Sequence, residues 1–183
     1  MKTKIIAMLA LLTLTINANA NKMNENNYDD IGGFFSAAAT AESPNIKHFY
    51  ISKAMLVLTM NRNGEMIEGF NLKKYSDKID FIRRVEIKSN NTKKDRELLA
   101  GTEKLATQVY KTYNYTNLIA TGGSGQRNYL FYKYGEGGLC SILVITTHKE
   151  FDEASEQASL KQASAVLIGG TFRAEDIPTM INF

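Results

Sequence analysis

The stretch YTNLIATGGSGQRNYLFYKYGEGGLCSILVIT, residues 115–146, decides the fold because it holds three β-strand patterns in close succession. The patterns cover Tyr115–Thr121, Arg127–Tyr134 and Leu139–Thr146, and two glycine-rich connections separate them. Short glycine-rich connections supply the positive φ angles that hairpin turns require. The stretch therefore predicts an antiparallel meander. Leu139–Thr146 is apolar at both alternating sets of positions, which predicts a central strand covered on both faces.

The segments before the meander alternate between helix and strand patterns. Bounded runs with alternating apolar residues predict strands over Ile46–Ile51 and Ile79–Lys88. Composition and flanking turn signals predict helices over Asp29–Ala41 and Lys53–Met60. In Lys93–Tyr113, apolar residues recur at three- and four-residue spacing, so this segment predicts a long helix with one apolar stripe.

The segments after the meander complete the predicted fold. Ala165–Phe172 predicts a further strand and Glu175–Ile181 a short terminal helix, while Lys149–Gln162 fits either an acidic helix or a long loop. We therefore expect an α+β fold with an antiparallel sheet of five to six strands. The meander lies in its C-terminal half, and the helices pack mainly on one face.

The first twenty residues have the three parts of a secretory signal peptide. Lys2 and Lys4 supply positive charge, Ile5–Ile16 supplies the apolar run, and Ala18-Asn19-Ala20 supplies the small residues of a cleavage site. An apolar run of 12 residues is too short to cross a hydrocarbon core, which needs about 20. The sequence therefore predicts an exported protein that is periplasmic, at the cell surface or secreted.

Cleavage after residue 20 leaves 163 residues, which predict a flexible segment over 21–28 and a single domain over 29–183. Without Lys2 and Lys4 the chain has 20 basic and 19 acidic residues, a balance that lacks the positive field of a nucleic-acid-binding protein. We expect no nucleic-acid partner and no transmembrane segment after signal removal. Cys140 is the only cysteine, and its apolar surroundings predict a buried side chain.

The order of short motifs along the chain resembles one known family. Ile46–Met60 joins a strand, the tripeptide Ile-Ser-Lys and an Ala-Met-Leu helix start. A helix of the Lys93–Tyr113 type and the meander follow, and the chain closes with Leu167–Phe172 and a short helix containing Asp176 and Ile177. In this order the chain resembles the DUF4252 family of small exported Bacteroidetes proteins.

The resemblance covers about Asp29 to Ile181 and implies an exported location and an α+β fold. It implies no assigned activity and supplies no functional residue. The chain departs from the family pattern in Lys149–Gln162, which is longer than expected between the last two strands, and in the glycine-rich Gly122–Gly125.

Three polar residues are the candidate metal ligands. His148, Asp152 and Glu156 are spaced by four residues, so on a helix they would line one face and could ligate a cation. A metal-dependent hydrolase built on this segment is the alternative function. The competing interpretation is a solvated acidic face. No Gly-x-Ser-x-Gly motif is present, and we expect no cofactor.

The tyrosine-rich meander is the candidate partner surface. Six of the nine tyrosines lie between Tyr110 and Tyr134, and Tyr129, Tyr132 and Tyr134 fall in one strand pattern. Tyrosine suits recognition surfaces, and it also suits half-buried strands that form aromatic cross-strand pairs. An envelope protein or a glycan would be the partner, and the absence of Trp disfavours the glycan.

The function that the sequence favours is a non-enzymatic periplasmic or surface module that binds a partner or serves the envelope. A structural subunit that adds strands to a partner's open sheet edge is a further hypothesis. The oligomeric state is left open.

Overall fold

The computed structural model describes residues 31–63, 70, 72–135, 138–152 and 157–180. The predicted signal peptide and flexible segment lie outside these residues. The described part contains six strands: β1 (Ile46–Ser52), β2 (Ile79–Ile87), β3 (Thr116–Gly123), β4 (Gln126–Tyr134), β5 (Cys140–Asp152) and β6 (Gln157–Gly170). It also contains four α-helices: α1 (Gly32–Ala39), α2 (Lys53–Asn63), α3 (Lys93–Thr112) and α4 (Ile177–Met180). None of these helices is long and apolar enough to cross a membrane.

All six strands form one antiparallel sheet in the order β1-β2-β6-β5-β4-β3. Strands β3 to β6 are consecutive neighbours, so the predicted meander and the α+β class are confirmed. The prediction of a central, doubly covered strand is also confirmed, because Ile142, Leu143 and Ile145 of β5 are fully buried. Strands β1 and β3 form the two edges of the sheet.

The connection between β3 and β4 is a tight two-residue turn. Ser124 and Gly125 both have positive φ, 48° and 84°, and Gly123 pairs with Gln126 across them. Positive φ at both central residues is the pattern of a type I′ hairpin turn. A Cβ at Gly125 would collide with the carbonyl oxygen of Lys149, which is a second reason for glycine here.

One face of the sheet is covered by α1 and by α3, the longest helix. The predicted apolar stripe of α3 is buried through Leu98, Leu99, Leu105 and Val109. The stripe packs in one core with Phe81, Val85 and Ile87, which lie on the same side of β2. Residues of β4, β5 and β6 that face the same side of the sheet complete this core. This face holds the longest helix, α3 with 20 residues, together with α1, which has 8.

The second face carries a smaller core under shorter elements. Leu56 of α2, Tyr75 of a 3₁₀ turn (Lys73–Tyr75) and Met180 of α4 are buried against it. Their partners in the sheet are apolar residues of β2, β4, β5 and β6, namely Ile82, Leu130, Ile142 and Ile168. The predicted terminal helix Glu175–Ile181 is observed as a 3₁₀ turn (Ala174–Asp176) followed by α4, and Ile181 lies outside the described residues.

The segment Lys149–Gln162 is neither of the predicted structures. Instead, β5 continues to Asp152 and β6 begins at Gln157. Residues 149–152 pair with residues 157–160 beyond the last residue of β5 that pairs with β4, His148. We name this two-stranded extension the β5–β6 arm. Because it extends past the neighbouring strands, charged residues are tolerated along it, and the alternation that marks a strand in a sequence is lost.

Candidate functional site

The candidate metal ligands do not lie on a helix. His148 is a half-buried residue of β5, Asp152 is the last residue of that strand, and Glu156 lies outside the described residues. A register shift between His148 and Lys149 separates the first ligand from the arm. Within the described residues, no three His, Cys, Asp or Glu side chains are grouped to hold a metal ion. The helical face that suggested this site is therefore absent, and the full set of three stays a prediction.

The three candidate tyrosines lie on different faces of β4. Tyr129 packs against the core under α3, with its ring stacked on Phe131 at a centroid distance of 6.1 Å. Tyr132 and Tyr134 lie on the second face, with ring centroids 5.5 Å apart at an angle of 83°. Only Tyr134 of the three is exposed. Tyr132 and Tyr134 thus form one aromatic pair, and Tyr129 belongs to the core side.

An apolar groove runs along the edge strand β1, with a volume of about 740 Å³. We name it the β1 groove. Its lining comes from α1, from β1, from β2 and from the start of α2: Phe35, Ser36, Ala39, Thr40, His48, Phe49, Tyr50, Ile51, Met55, Arg83, Arg84 and Val85. Small side chains, Ser36 and Ala39, face the groove from the helix, and this leaves room between α1 and the sheet edge.

The charged groups of the β1 groove are cationic. The Arg83 side chain lies with its guanidinium carbon 5.7 Å from the ring centroid of Tyr50, and Arg84 lies 5.8 Å from that of Phe49. These are cation–π distances. No Asp or Glu occurs among the described lining residues, although Arg84 also pairs with Glu86 nearby. The groove therefore combines apolar surface, cationic side chains and the backbone of an edge strand.

The second face of the sheet also has a polar half, which we name the polar sheet face. One cross-strand row runs in register through all six strands: Lys47, Glu86, Ser164, Thr146, Asn128 and Thr121. In the next row His148 pairs with Gln162 on one side and Gln126 on the other. A shallow cavity of about 390 Å³ lies over part of these two rows, and its lining includes Glu86, Ser164, Thr146, Gln126, His148 and Gln162. The face offers hydroxyl and amide groups that can both donate and accept hydrogen bonds.

The buried groups that could act as nucleophiles are held protonated. Burial raises the pKa of the Cys140 thiol to about 12. Burial likewise raises the pKa of Tyr115 to about 12, although its hydrogen bond with Ser141 Oγ, at 2.8 Å, acts in the opposite direction. Both groups are neutral near pH 7, which is unfavourable for nucleophilic chemistry. The prediction that Cys140 is buried is confirmed.

Comparison with protein-family models, with curated proteins and with solved structures finds no match to this chain. The resemblance to the DUF4252 family therefore stays a prediction. Neither the β1 groove nor the polar sheet face follows from a pattern that we recognised in the sequence. The signal for the polar sheet face was present, however, because the apolar residues of β5 give way to Thr146 and His148 at one parity.

Proposed function

We propose that this protein is an exported, non-enzymatic module that binds an envelope protein through the β1 groove. The observation that carries the proposal is the position of the groove, which lies beside the backbone of an edge strand. An extended partner can add a strand to the edge of a sheet through main-chain hydrogen bonds.

The residues around β1 are typical of a surface that a partner covers. Phe49 is 37% exposed at the groove although it is a large apolar residue. Exposed aromatic surface beside a concave apolar lining is typical of sites where a partner is buried.

Export is supported by the order of charge, apolar run and small residues in Met1–Ala20. Mass spectrometry of the native protein tests this part of the proposal. A mature N-terminus at Asn21 is the expected result, and a native protein that retains Met1 in the cytosol would contradict it.

The binding role is tested by cross-linking the mature protein in envelope extract. In Ala39→Trp, a large ring replaces an exposed lining residue and fills the groove. In the matched control Gln108→Trp, the same ring is placed at an exposed position of α3 that is not among the lining residues. We expect Ala39→Trp to lose cross-linked partners that the wild type and Gln108→Trp retain. Equal capture by all three proteins would reject the groove as the binding site.

A second candidate function is glycan binding at the polar sheet face. The row of hydroxyl and amide side chains favours it, because such groups match the hydroxyls of a sugar in both hydrogen-bonding directions. Isothermal titration with a panel of neutral oligosaccharides tests this. Binding that is lost in Asn128→Ala and kept in Ala39→Trp would assign the glycan to this face, whereas no binding by the wild type would reject it.

A further inference from the structure

The strand β3 lies at the edge of the sheet opposite to the β1 groove. Its eight residues include no charged residue and no proline, the residues that commonly protect an exposed edge from pairing. All of them except Ile119 are exposed. In the part of the chain that the structure describes, β4 is the one element to which β3 is hydrogen-bonded. A strand of this composition can accept a further strand on its outer side.

The register of the sheet shows which main-chain groups of β3 point outward. The N–H of Lys149 in β5 donates to the carbonyl oxygen of Gly125 at 2.8 Å, and hydrogen-bonded positions of an antiparallel ladder recur at every second residue. Arg127 therefore directs its main-chain groups toward β5, and it forms a non-hydrogen-bonded pair with Gly122 on its other side. The same holds two residues further on for Ala120. The N–H and C=O groups of Ala120 and Gly122 thus point away from β4, to the outer edge.

Arg127 supplies a positive charge beside this edge. A Cβ at Gly122 would lie 3.0 Å from Cγ of Arg127, so the arginine side chain leans over β3. Arg127 is exposed, and it forms no ion pair within the described residues. A cavity of about 580 Å³ lies here, and the other cation of its described lining, Lys149, is already paired with Glu103. That described lining includes no acidic residue, so a carboxylate from a ligand would complement Arg127.

We propose that β3 binds an extended segment of a partner protein as a seventh strand of the sheet, with an acidic side chain of that segment facing Arg127. The main-chain groups of Ala120 and Gly122 provide the hydrogen bonds, and Arg127 provides the selectivity. A second copy of this chain fits less well, because β3 has no acidic residue and self-pairing would bring two Arg127 side chains to one junction. The site is separate from the β1 groove, and the inference does not depend on the function proposed for that groove.

Fluorescence polarisation with two labelled peptides tests the charge preference. One peptide is Thr-Val-Thr-Glu-Thr-Val-Thr, and the other has Gln in place of Glu. We expect the mature wild type to bind the Glu peptide about threefold to fivefold more tightly, the upper range for an exposed ion pair. Arg127→Gln should bind both peptides equally. The control Arg173→Gln removes the same charge from an exposed position outside the cavity lining and should keep the preference. Equal affinity of the wild type for the two peptides, or no binding up to about 1 mM, would overturn the inference.

The substitution Ala120→Pro tests the main-chain pairing. Proline removes an N–H that points outward, so the hydrogen bonds between β3 and β4 are kept. We expect the affinity for the Glu peptide to fall by about tenfold or more, whereas Ala120→Val keeps the N–H and should bind as the wild type does. Hydrogen exchange of the wild type gives the same test without a variant, because the peptide should slow exchange at the amides of Ala120 and Gly122. Unchanged affinity in a folded Ala120→Pro, or unchanged exchange at both amides, would contradict the proposed pairing.

Two other arrangements give different results. Ala39→Trp has a filled β1 groove and should bind the Glu peptide as the wild type does. Binding that is lost in Ala39→Trp and kept in Ala120→Pro would place the peptide in the groove and overturn the inference. Sedimentation of the protein without peptide tests self-pairing. A wild type that dimerises, together with a monomeric Ala120→Pro, would identify a second copy as the occupant of β3 and would likewise overturn the acidic partner.

Discussion

The substitution Asp95→Asn tests how the structure holds the start of α3. Asp95 is fully buried, and its carboxylate accepts three hydrogen bonds: from Ser43 Oγ at 2.6 Å, from Asn45 Nδ2 at 2.9 Å and from the N–H of Thr92 at 3.0 Å. The N–H of Asp95 donates in turn to Thr92 Oγ1, which completes a capping box. Asp95 thus joins the loop before β1 to the N-terminus of the longest helix.

The loss of stability expected for Asp95→Asn follows from these hydrogen bonds. Hydrogen bonds to a charged group contribute about 1.5 to 3 kcal/mol each, and the half-buried donors regain part of this from water. Asn keeps the shape of the side chain but loses the charge, and its NH₂ group cannot accept one of the three bonds. We expect Asp95→Asn to lower the free energy of unfolding by about 2 to 3 kcal/mol at pH 7.

The same residue predicts an acid-dependent part of stability. Burial raises the pKa of Asp95, but hydrogen bonds from Ser43, Thr92 and Asn45 lower it by more, leaving it at about 2 against an ordinary value of 3.8. A lowered pKa means that the carboxylate stabilises the fold above pH 4 and that this stabilisation is lost as pH falls from about 4 to about 2. The shift corresponds to about 2 kcal/mol.

Urea unfolding of the wild type and of Asp95→Asn at several pH values measures both effects. The exposed Asp77 supplies the control Asp77→Asn, which should stay within about 0.5 kcal/mol of the wild type. The gap between the wild type and Asp95→Asn should narrow from pH 5 toward pH 2. A gap that is constant with pH, or no larger than that of the control, would refute the role assigned to the carboxylate.

Three further substitutions and one labelling experiment test other parts of the fold. Gly169→Ala places a Cβ against the ring of Phe81, so the urea midpoint should fall by an amount equivalent to about 1 to 3 kcal/mol. Gly33→Ala in α1 meets no atom within 4 Å and should raise stability by up to about 1 kcal/mol; a loss in the same assay would contradict this. Tyr115→Phe should cost about 1 to 2 kcal/mol, and most of that cost should vanish when Ser141 is already Ala. Cys140 should resist iodoacetamide at pH 8 until urea unfolds the protein, and rapid labelling of the native protein by mass spectrometry would contradict its burial.

The sequence predicts best those elements in which burial of one side makes apolar residues recur at a regular spacing. The apolar stripe of α3 and the alternating apolar residues of β2 can be seen in the sequence, because one side of each element faces the core between α3 and the sheet. The meander is visible because turn residues such as Gly125 are required by backbone geometry. The capping box of Thr92 and Asp95 is also readable from the sequence, because a threonine and an acidic residue stand three positions apart at the start of the apolar stripe.

The β5–β6 arm and the β1 groove could not be predicted from the sequence, for a different reason in each case. In the arm, Lys149 and Glu150 precede an exposed Phe151, and although Leu160 packs against the core, a single such contact is too little to produce an alternating pattern. The groove depends on α1 lying beside an edge strand, and edge position follows from strand order. That order places β6 between β2 and β5, a long-range pairing that no local pattern encodes.

The second face of the sheet is divided into an apolar half and a polar half, and the same division occurs in three neighbouring strands. On this face, each of the three strands changes from an apolar to a polar side chain over four residues. The change runs from Ile82 to Glu86 in β2, from Ile142 to Thr146 in β5 and from Ile168 to Ser164 in β6. Glu86, Ser164 and Thr146 are paired in register, so the polar ends lie side by side across the sheet. In β2 the change comes one pair earlier, at Arg84, which pairs with Val166. A sheet that needed a further apolar element over this half would bury unpaired hydroxyl and carboxylate groups there, at a cost of about 1 to 3 kcal/mol for each group. The polar sheet face is therefore suited to water or a polar ligand, in contrast to the apolar lining of the β1 groove.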